Sequence, residues 1–454
     1  MGAGREGESG TEGGTDGPGE PGEPGGPGQP GRPAGRAGRA GSGRQAGHAS
    51  AARRTGYSVS CLLAAVLLAV SGLSYLGVND LRSIGNSDAI VSGPSTGPQN
   101  ILLMGLESRT YWNGDILPWS VLKYLHAGSR RAVQAGTGGN ATNTLILIHI
   151  FANGTKAVGF SIPRDDWVNF AGTAGPVQQG KIDQAYGVSL AYTEQRLEAK
   201  YPGMSRNTRA FLANEAGQHA AVATVEALTG VHVDHFAAVN LYGFYELAKV
   251  LGGVEVCLNH PVHDLNSGAN FPAGYQHLDA AQALAFVRQR DGLANGDLDR
   301  THRQQAFIDS VIHQLRTEGV LSDLTKISAL LSVAKRYVMA DYGWNLLDFA
   351  TQARNLTSGD LVFHTLPIEG YATIDHQDAN VVSPAYIRQI VHAAFNPPPA
   401  PKRHKRARRA KGHGSATPGS NPVAASPGPP PVVIPTTGPQ GGSVRAQNGI
   451  PCVD

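Results

Sequence analysis

The chain is poor in cysteine and lacks the short motifs that mark two common enzyme classes. Three cysteines in 454 residues allow at most one intramolecular disulfide. Neither G-x-x-x-x-G-K-[ST] nor H-E-x-x-H occurs. Nucleotide-dependent chemistry and zinc hydrolysis therefore lose their usual support.

Large apolar residues are almost absent from the first 50 residues, and many of the 58 glycines and 29 prolines lie at the two ends of the chain. Segments of this composition cannot bury enough surface to offset the entropy of ordering them. We therefore predict a disordered Gly/Pro-rich segment over 1–54 and a tail over 396–454. The tail carries a basic block at 402–411, which favours polyanions or anionic lipid headgroups as partners rather than nucleic acid.

Charged residues are absent from 55–79, which centres on the apolar run CLLAAVLLAVSGLSYLGV. About 20 apolar residues span a bilayer, so this stretch predicts one transmembrane helix. The alternatives are a cleaved signal peptide, which lacks its A-x-A-like site here, and a buried core helix, which a disordered flank argues against. Arginines before the helix place the N-terminus in the cytoplasm. We expect a single-pass cell-membrane protein with an extracellular linker over 80–98 and an extracellular domain after it.

The region 99–395 is continuously patterned and suits one large domain with its own core. Short Ile- and Leu-rich runs predict strands at 100–108, 143–150 and 156–165, and an Asn-Gly pair predicts a hairpin between the last two. Later segments predict helices that end at glycines, one of them between two strands. Alternating helices and strands predict an α/β fold, and the hairpin predicts a mixed, largely antiparallel central sheet flanked by helices.

Four arginines crowd the segment FVRQRDGLANGDLDRTHRQQ: Arg288, Arg290, Arg300 and Arg303. Apolar spacing predicts a helix over about 299–315, whose first turn would hold the last two arginines at the positive end of the helix dipole. That placement makes sense if they bind an anion such as phosphate. The first two arginines would share one face of an extended segment. The alternative is a salt-bridge network with the acids Asp291, Asp297 and Asp299.

Seven segments have an informative order and spacing: NILLMGLESR, TNTLILIHI, FSIPRDDWV, KIDQAYG, HFAAVNLYGFYELAKVLGGVEV, FPAGYQHLDAAQALAFVRQRDG and GDLDRTHRQQ. In these segments, over about 100–315, the chain resembles an actinobacterial member of the LytR-CpsA-Psr family. The resemblance implies an extracytoplasmic transferase that moves a glycopolymer from a polyprenyl-pyrophosphate carrier onto peptidoglycan through a phosphodiester. It also implies an apolar groove for the prenyl chain and Mg²⁺ at the phosphates.

The resemblance further implies that arginines grip the pyrophosphate. Phosphoryl transfer needs positioning and charge neutralisation more than covalent work by the protein. The implied catalytic set is Arg109, Arg164, Asp165, Arg288, Arg290, Asp297, Arg300 and Arg303. Asp165 can deprotonate the incoming hydroxyl in this scheme, but orientation of Arg164 is the role that we favour.

Two positions depart from the family pattern. Its metal-associated aspartates fall here at Glu107 and Asn143, and the arginine before the second falls at Ala141. A glutamate can ligate a hard cation, whereas an asparagine oxygen brings no charge, so we expect Mg²⁺ binding to depend on substrate phosphates. Without the family context, Glu107 also fits a solvated loop carboxylate and Asn143 a strand-edge cap.

Three aromatic residues are candidates for the lipid groove: Tyr242, Phe244 and Tyr245. Their spacing is also typical of ordinary core packing, which stays the alternative.

Cys257 and Cys452 both follow the predicted membrane helix, on the side where oxidation is permitted. They predict a disulfide that returns the end of the chain to the domain. The alternative is a buried, reduced Cys257 and a free Cys452.

Three other functions remain open beside the transferase. A pyrophosphate hydrolase would use the same site with water as acceptor, and the residues do not distinguish it. A wall-binding or regulatory anchor would need only the basic tail, so the arginines favour catalysis over it. The third is a carrier-binding protein without turnover.

Overall fold

The computed structural model describes residues 87–94, 96–134, 139–152, 154–173, 175–294, 296–317, 324–345, 361–397 and 450–454. All of them fall within Leu67–Asp454, one of the two units into which the chain divides. The predicted segment 1–54, the membrane helix 55–79 and the basic block 402–411 lie outside the described residues. Inside the described ranges, no helix is long and apolar enough to cross a membrane.

Runs of strands are separated by helices along the domain. The strands are β1 (Gln99–Leu106), β2 (Thr142–Ile150), β3 (Ala157–Ser161), β4 (Trp167–Asn169), β5 (Gln179–Lys181), β6 (His235–Asn240), β7 (Val254–Leu258), β8 (Val262–Asp264), β9 (Ala269–Phe271), β10 (Gly274–Leu278), β11 (Val338–Ala340), β12 (Leu361–Thr365), β13 (Gly370–Ile374), β14 (Gln377–Val381) and β15 (Cys452–Val453). The helices are α1 (Trp119–Tyr124), α2 (Arg130–Gln134), α3 (Gln184–Lys200), α4 (Arg206–Thr229), α5 (Leu241–Leu251), α6 (Ala280–Arg288), α7 (Asp297–Thr317), α8 (Leu324–Tyr337) and α9 (Pro384–Phe395).

A six-stranded sheet in the order β11-β6-β1-β2-β3-β12 forms the centre of the described domain. Its β11–β6, β1–β2 and β2–β3 pairs are antiparallel, and its β6–β1 and β3–β12 pairs are parallel. The prediction of a mixed sheet with helices is confirmed, and so is the predicted hairpin between β2 and β3.

Glycines end two helices as the sequence predicts. Gly230 closes α4 with φ +72° and Gly252 closes α5 with φ +85°, a region that costs glycine little because it has no Cβ. At the other end of α4, the Ser205 side chain accepts a hydrogen bond from the main-chain nitrogen of Thr208 at 3.1 Å. Local sequence therefore sets both ends of the longest described helix.

The two faces of the central sheet are covered differently. On one face, Leu102, Met104 and Phe160 pack into a fully buried cluster with side chains of α4 and α9. On the other, Leu103 and Ile148 stay half-buried beneath α7 and pack against a smaller cluster. Alternation along the strands produces this division, since successive side chains point to opposite faces.

The helix that carries two of the predicted arginines begins earlier than expected. Because α7 starts at Asp297, its first turn holds the acids Asp297 and Asp299, which suit the positive end of the dipole. Arg300 follows them and Arg303 lies a turn further on. The predicted first-turn placement is therefore wrong for Arg303, whereas Arg300 ends the first turn, with its main-chain nitrogen donating to the Gly296 oxygen at 3.2 Å. The extended segment predicted around Arg288 is also wrong, because this residue ends helix α6.

Segments near both ends of the chain pack on the domain. The main-chain nitrogen of Ser87 donates to the oxygen of Ala340 at 3.0 Å, and Ala89 is buried, so part of the predicted linker belongs to the folded region. At the other end, β15 pairs in parallel with β7, and a disulfide joins Cys257 to Cys452. The last described residues thus extend a second sheet, in the order β10-β7-β15.

Candidate active site

The candidate site lies where the central strands of the sheet end together. Glu107 follows β1, Asn143 is near the start of the antiparallel neighbour β2, and Arg164 follows β3. A register shift between Gly105 and Leu106 interrupts the β1–β2 ladder just before Glu107. Such irregularities redirect side chains at the ends of sheets, and here several polar side chains converge.

The Glu107 carboxylate contacts Arg109 and Arg288, which form the first of two groups of cations in the site. Its Oε1 accepts a hydrogen bond from Arg288 Nη2 at 3.2 Å and lies 3.6 Å from Arg109 Nη2. Its Oε2 accepts a hydrogen bond from the amide of Asn143. The carboxylate therefore has contacts on both oxygens.

Main-chain oxygens of the loop after α1 also bind Arg109 and Arg288. Arg288 Nη1 donates to the main-chain oxygen of Leu125 at 2.8 Å, and Arg109 Nε donates to the oxygen of Ala127. Main-chain acceptors leave the guanidinium charge largely uncompensated, because a carbonyl carries no net charge.

Asn143 connects the group of Glu107, Arg109 and Arg288 to a second group, which contains Arg164 and Arg300. Its Oδ1 accepts a hydrogen bond from Arg164 Nη1 at 2.6 Å, and its main-chain oxygen accepts from Arg300 Nη2 at 3.1 Å. The Asp297 Oδ1 atom lies 3.2 Å from Arg164 Nε and 2.8 Å from Arg300 Nη2. One carboxylate therefore serves two arginines.

Asp165 completes the cluster with a lysine that sequence reasoning missed. The Asp165 carboxylate lies 3.5 Å from Arg164 Nε and 2.8 Å from Lys181 Nζ. Burial alone would raise the pKa of Asp165, but Arg164 and Lys181 hold it below its ordinary value. Asp165 is thus ionised and bound on both sides, which suits orientation of Arg164 better than proton abstraction.

Positive charge exceeds negative charge in this cluster. Five cationic side chains, Arg109, Arg164, Lys181, Arg288 and Arg300, share the carboxylates of Glu107, Asp165 and Asp297. Burial lowers the pKa of Arg300 to about 10; Asp297 opposes this shift, and the charges of Arg164 and Arg290 add to it. A buried guanidinium crowded by other cations is stabilised when an anion arrives.

Two of the predicted arginines differ from the others: Arg290 lies at the edge of the cluster, where its charge lowers the pKa of Arg300, and Arg303 lies outside it. Arg290 is exposed, and its main-chain nitrogen donates a hydrogen bond to Asp264 Oδ2 at 3.3 Å. Arg303 is fully buried, with its guanidinium 5.1 Å from the ring centre of Phe286 and its Nε donating to the Asp454 main-chain oxygen at 2.6 Å. Arg303 therefore contacts the docked C-terminal segment instead of the Glu107–Asn143 group.

The predicted salt-bridge alternative is realised in part. Asp297 does pair with two arginines, whereas Asp291 accepts a hydrogen bond from Asn266 at 2.6 Å and Asp299 lies 3.8 Å from His302. Structural ion pairs and surplus positive charge thus coexist in the site.

Two buried acids behind the cluster were also missed. Burial raises the pKa of Asp183 to about 6, although Arg164 opposes the shift. Burial raises the pKa of Asp166 well above its ordinary value, although the hydrogen bond from Asn380 at 2.9 Å opposes it. The quoted segments FSIPRDDWV and KIDQAYG contain both acids, but nothing in one sequence shows that they are buried.

The predicted metal ligands, Glu107 and Asn143, both contact other side chains of the site. Arg109, Arg288 and the Asn143 amide engage the Glu107 oxygens, and Arg164 engages the Asn143 side-chain oxygen. Within the described ranges, no group of three or more His, Cys, Asp or Glu side chains is placed to hold a metal ion. A divalent cation would need ligands from elsewhere.

The predicted groove residues lie on α5. Tyr242 and Tyr245 stack with ring centres 6.1 Å apart, and Tyr242 also contacts Tyr337 of α8 edge-on. Phe244 packs against Phe307 of α7 at 5.0 Å. All three predicted groove residues are half-buried and pack against the cluster below α5, as the core alternative requires.

Two cavities flank the cluster. One, of about 510 Å³, is lined by Asp165 and Asp297 and by residues of the β13–β14 hairpin. The other, of about 500 Å³, is lined by Lys123, Tyr124 and His126 and by residues of α6. Both volumes fall in the range of small-molecule sites.

The mixed sheet, its helices and the cluster of cationic side chains at the ends of its strands define an α/β protein with a positively charged site. The LytR_cpsA_psr family model matches residues 79–392, and the chain belongs to this family. The family assignment agrees with the resemblance in the sequence.

Relatives and solved structures are similar over much of the chain. Cell wall biosynthesis protein LcpA of Corynebacterium glutamicum is 36% identical over 337 residues, which span 72% of this chain and 61% of that protein. The polyisoprenyl-teichoic acid–peptidoglycan teichoic acid transferase TagU of Oceanobacillus iheyensis is 27% identical over 249 residues, 53% of this chain and 68% of that protein. The LytR-Csp2A-Psr enzyme from Actinomyces oris has a TM-score of 0.41 and 17% identity, covering 67% of this chain and 91% of that one.

Proposed function

We propose that the protein transfers a glycopolymer from a polyprenyl-pyrophosphate carrier to peptidoglycan and forms a phosphodiester bond. The observation that carries this proposal is the convergence of five cationic side chains on three carboxylates, with Arg300 buried among other cations. A pyrophosphate group supplies the negative charge that such a cluster lacks. Two relatives are named for cell wall biosynthesis and for teichoic acid transfer to peptidoglycan, which supports the same reaction class.

The reaction is a single displacement at phosphorus. A hydroxyl oxygen of the acceptor sugar, which we take to be the muramic acid 6-hydroxyl, bonds to the phosphorus that carries the glycan. The bond from that phosphorus to the bridging oxygen breaks, and its electron pair leaves with polyprenyl phosphate. The departing phosphate monoester can take the hydroxyl proton, since the second pKa of such groups is about 6.

The side chains of the site act by position and charge. Arg164 and Arg300 face the oxygens on which charge develops, and Arg109 and Arg288 hold the remaining phosphate charge. Asp165 and Asp297 fix the guanidinium of Arg164, while Asn143 links both groups of cations. The buried arginines lose little orientational freedom on binding, since main-chain and carboxylate contacts already hold them.

Magnesium is proposed only as an ion that arrives with the substrate. The protein contributes one engaged carboxylate and one amide at the expected position, so most of its negative ligands would be phosphate oxygens. No step of the reaction above depends on a metal held by the protein.

The prenyl chain is proposed to lie against the sheet face beneath α7. Half-buried apolar side chains line this face, among them Leu103, Ile148, Ile308, Ile312 and Phe363. Phe307 also belongs to α7, so its partner Phe244 can extend the apolar surface toward α5. A chain lying there would bring its pyrophosphate to the strand ends, where the arginines are.

We further propose the membrane arrangement that the sequence predicts. A single span over 55–79 would keep the N-terminus in the cytoplasm and the catalytic domain outside, at the leaflet that displays lipid-linked glycan. Fusion of a reporter active only outside the cell to residue 454 tests this, with signal expected; signal from a reporter at residue 1 would reverse the orientation.

Single alanine variants test the catalytic site. Arg164→Ala and Arg300→Ala should each lower release of polyprenyl phosphate at least ~100-fold, as loss of one preorganised charge-stabilising donor does. Arg206→Ala is the matched control, since this exposed arginine lies 3.6 Å from Asp115 on the surface. Near-normal turnover in both site variants would refute the proposed site.

A further inference from the structure

The β13–β14 hairpin forms a wall of the cavity next to the reacting arginines. Its turn residues Asp375 and His376 have φ of +48° and +61°, the backbone of a tight two-residue hairpin turn. Its register pairs Tyr371 with Asn380 and Thr373 with Asp378, which puts these four residues on one face. All four line the 510 Å³ cavity.

The hairpin is fixed to the catalytic cluster from below. The main-chain nitrogen of Asn380 donates to the main-chain oxygen of Asp165 at 2.8 Å, and the Asn380 side-chain amide donates to the carboxylate of buried Asp166. At the turn, Gln184 Nε2 donates to Gln377 Oε1 at 2.6 Å. The hairpin therefore keeps a set position relative to Asp165, whose carboxylate lies in the same cavity.

The chemistry of the cavity suits a sugar. Tyr371 is 73% exposed, so one ring face is available for stacking against the C–H groups of a pyranose. Asp378 supplies an exposed carboxylate, and the Thr373 hydroxyl, which donates to Asp378 Oδ1 at 3.0 Å, can still accept a hydrogen bond, so both can bond sugar hydroxyls; the Asn380 amide is engaged by buried Asp166.

The lining of the cavity suits a hydroxyl-bearing substrate. The carboxylates of Asp165, Asp297 and Asp378 line it and can accept hydrogen bonds from hydroxyl groups, although Asp165 and Asp297 are also paired with cationic side chains. Arg164 lies 3.5 Å from Asp165 and 3.2 Å from Asp297, so a sugar bound in the cavity would lie next to an arginine that we propose to hold the donor phosphates.

We infer that this cavity is the acceptor subsite and that the β13–β14 hairpin, through Tyr371 and Asp378, recognises the acceptor sugar. The inference rests on the proposed function and names where its second substrate binds. The other cavity, with Lys123 and His126, is basic and is the competing location.

The test uses the full-length protein in detergent and a soluble muramyl disaccharide-peptide as probe. Calorimetry should show binding of the probe, weakened about tenfold or more by Tyr371→Ala and by Asp378→Asn, a loss of about 1.4 kcal/mol per tenfold. Tyr342→Ala is the matched control, because Tyr342 is 72% exposed and lies outside the cavity lining. It should bind the probe as the unaltered protein does.

Kinetics separate this inference from the proposed function. In the transfer assay, Tyr371→Ala should raise the KM for the disaccharide-peptide about tenfold while the KM for the lipid-linked donor and its hydrolysis by water stay unchanged. Unchanged probe binding in both hairpin variants, or weaker binding in Lys123→Ala instead, overturns the acceptor subsite. Absent donor cleavage by the unaltered protein would refute the proposed function, while hairpin-dependent probe binding would still support the subsite.

Discussion

Replacing Asn143 by aspartate probes the electrostatics of the site most sharply. The amide nitrogen now donates to Glu107, and the amide oxygen accepts from Arg164 at 2.6 Å. An aspartate at position 143 would still accept from Arg164, but its contact with Glu107 would become one between two carboxylates. Repulsion of two such charges amounts to about 4 kcal/mol at 4 Å and an effective dielectric constant of 20.

Two further effects determine how Asn143→Asp changes the free energy of unfolding. The closer contact with Arg164 offsets much of the repulsion, but the lost hydrogen bond to Glu107 costs about 1–3 kcal/mol in a half-buried site. We therefore expect Asn143→Asp to unfold at lower temperature than the unaltered protein without divalent cations. Mg²⁺ should restore stability, since two adjacent carboxylates supply the charge that a hard cation requires.

Calorimetric titration of Mg²⁺ checks this prediction. Affinity of the substrate-free protein should rise at least ~10-fold in Asn143→Asp, whereas Asn143→Ala, which removes both contacts without adding charge, should not bind more tightly. The unaltered protein should bind Mg²⁺ more tightly when a pyrophosphate substrate is present. Equally tight binding with and without substrate, or no gain in Asn143→Asp, would refute the reasoning from missing charge.

Three further predictions concern stability and the tail. Because folding raises the pKa of Asp183 from 3.8 to about 6, the folded state binds the proton more tightly, and stability falls as pH rises from 4 to 6. Asp183→Asn should remove that loss and raise the free energy of unfolding at pH 7 by up to about 3 kcal/mol, with no gain at pH 4. Urea unfolding at both pH values measures the change. An equal effect of the substitution at pH 4 and pH 7 would contradict the prediction. Cys452→Ser should lower the melting temperature, since a bridge of sequence separation 195 is worth up to about 5 kcal/mol in the chain-entropy model; an unchanged melting temperature would contradict this. Neutralising the lysines and arginines of 402–411 should weaken adhesion to anionic wall polymer at low salt, leaving Cys452 in place; binding that does not depend on salt would count against the tether.

Local signals predicted much of the fold. The Asn-Gly hairpin, the glycine ends of α4 and α5 and the apolar strands depend on neighbouring residues, so one sequence reveals them. The start of α7 was placed two residues late because apolar spacing begins inside the helix, whereas its first turn is acidic. This difference matters, since the acids Asp297 and Asp299 come first at the positive end of the helix dipole, and Arg300 only ends that turn.

The assembly of the site depended on contacts between distant segments. Family resemblance pointed to Arg109, Arg164, Arg288 and Arg300, and these do gather at the strand ends. Lys181 was not singled out, because its role arises from a short strand that carries it to Asp165. Arg303 was grouped with the others by spacing along one helix, although burial and the docked C-terminal segment give it different contacts.

The composition of the reaction product tests the central claim most directly. Full-length protein would be incubated with polyprenyl-pyrophosphate glycan and a peptidoglycan oligomer, and the products analysed by mass and by phosphorus resonance. The account predicts a glycan joined to the oligomer through one phosphodiester, with one polyprenyl phosphate released per bond formed and both lost in Arg164→Ala. Glycan phosphate released to water at the same rate with and without the oligomer, or no cleavage of the carrier, would contradict it.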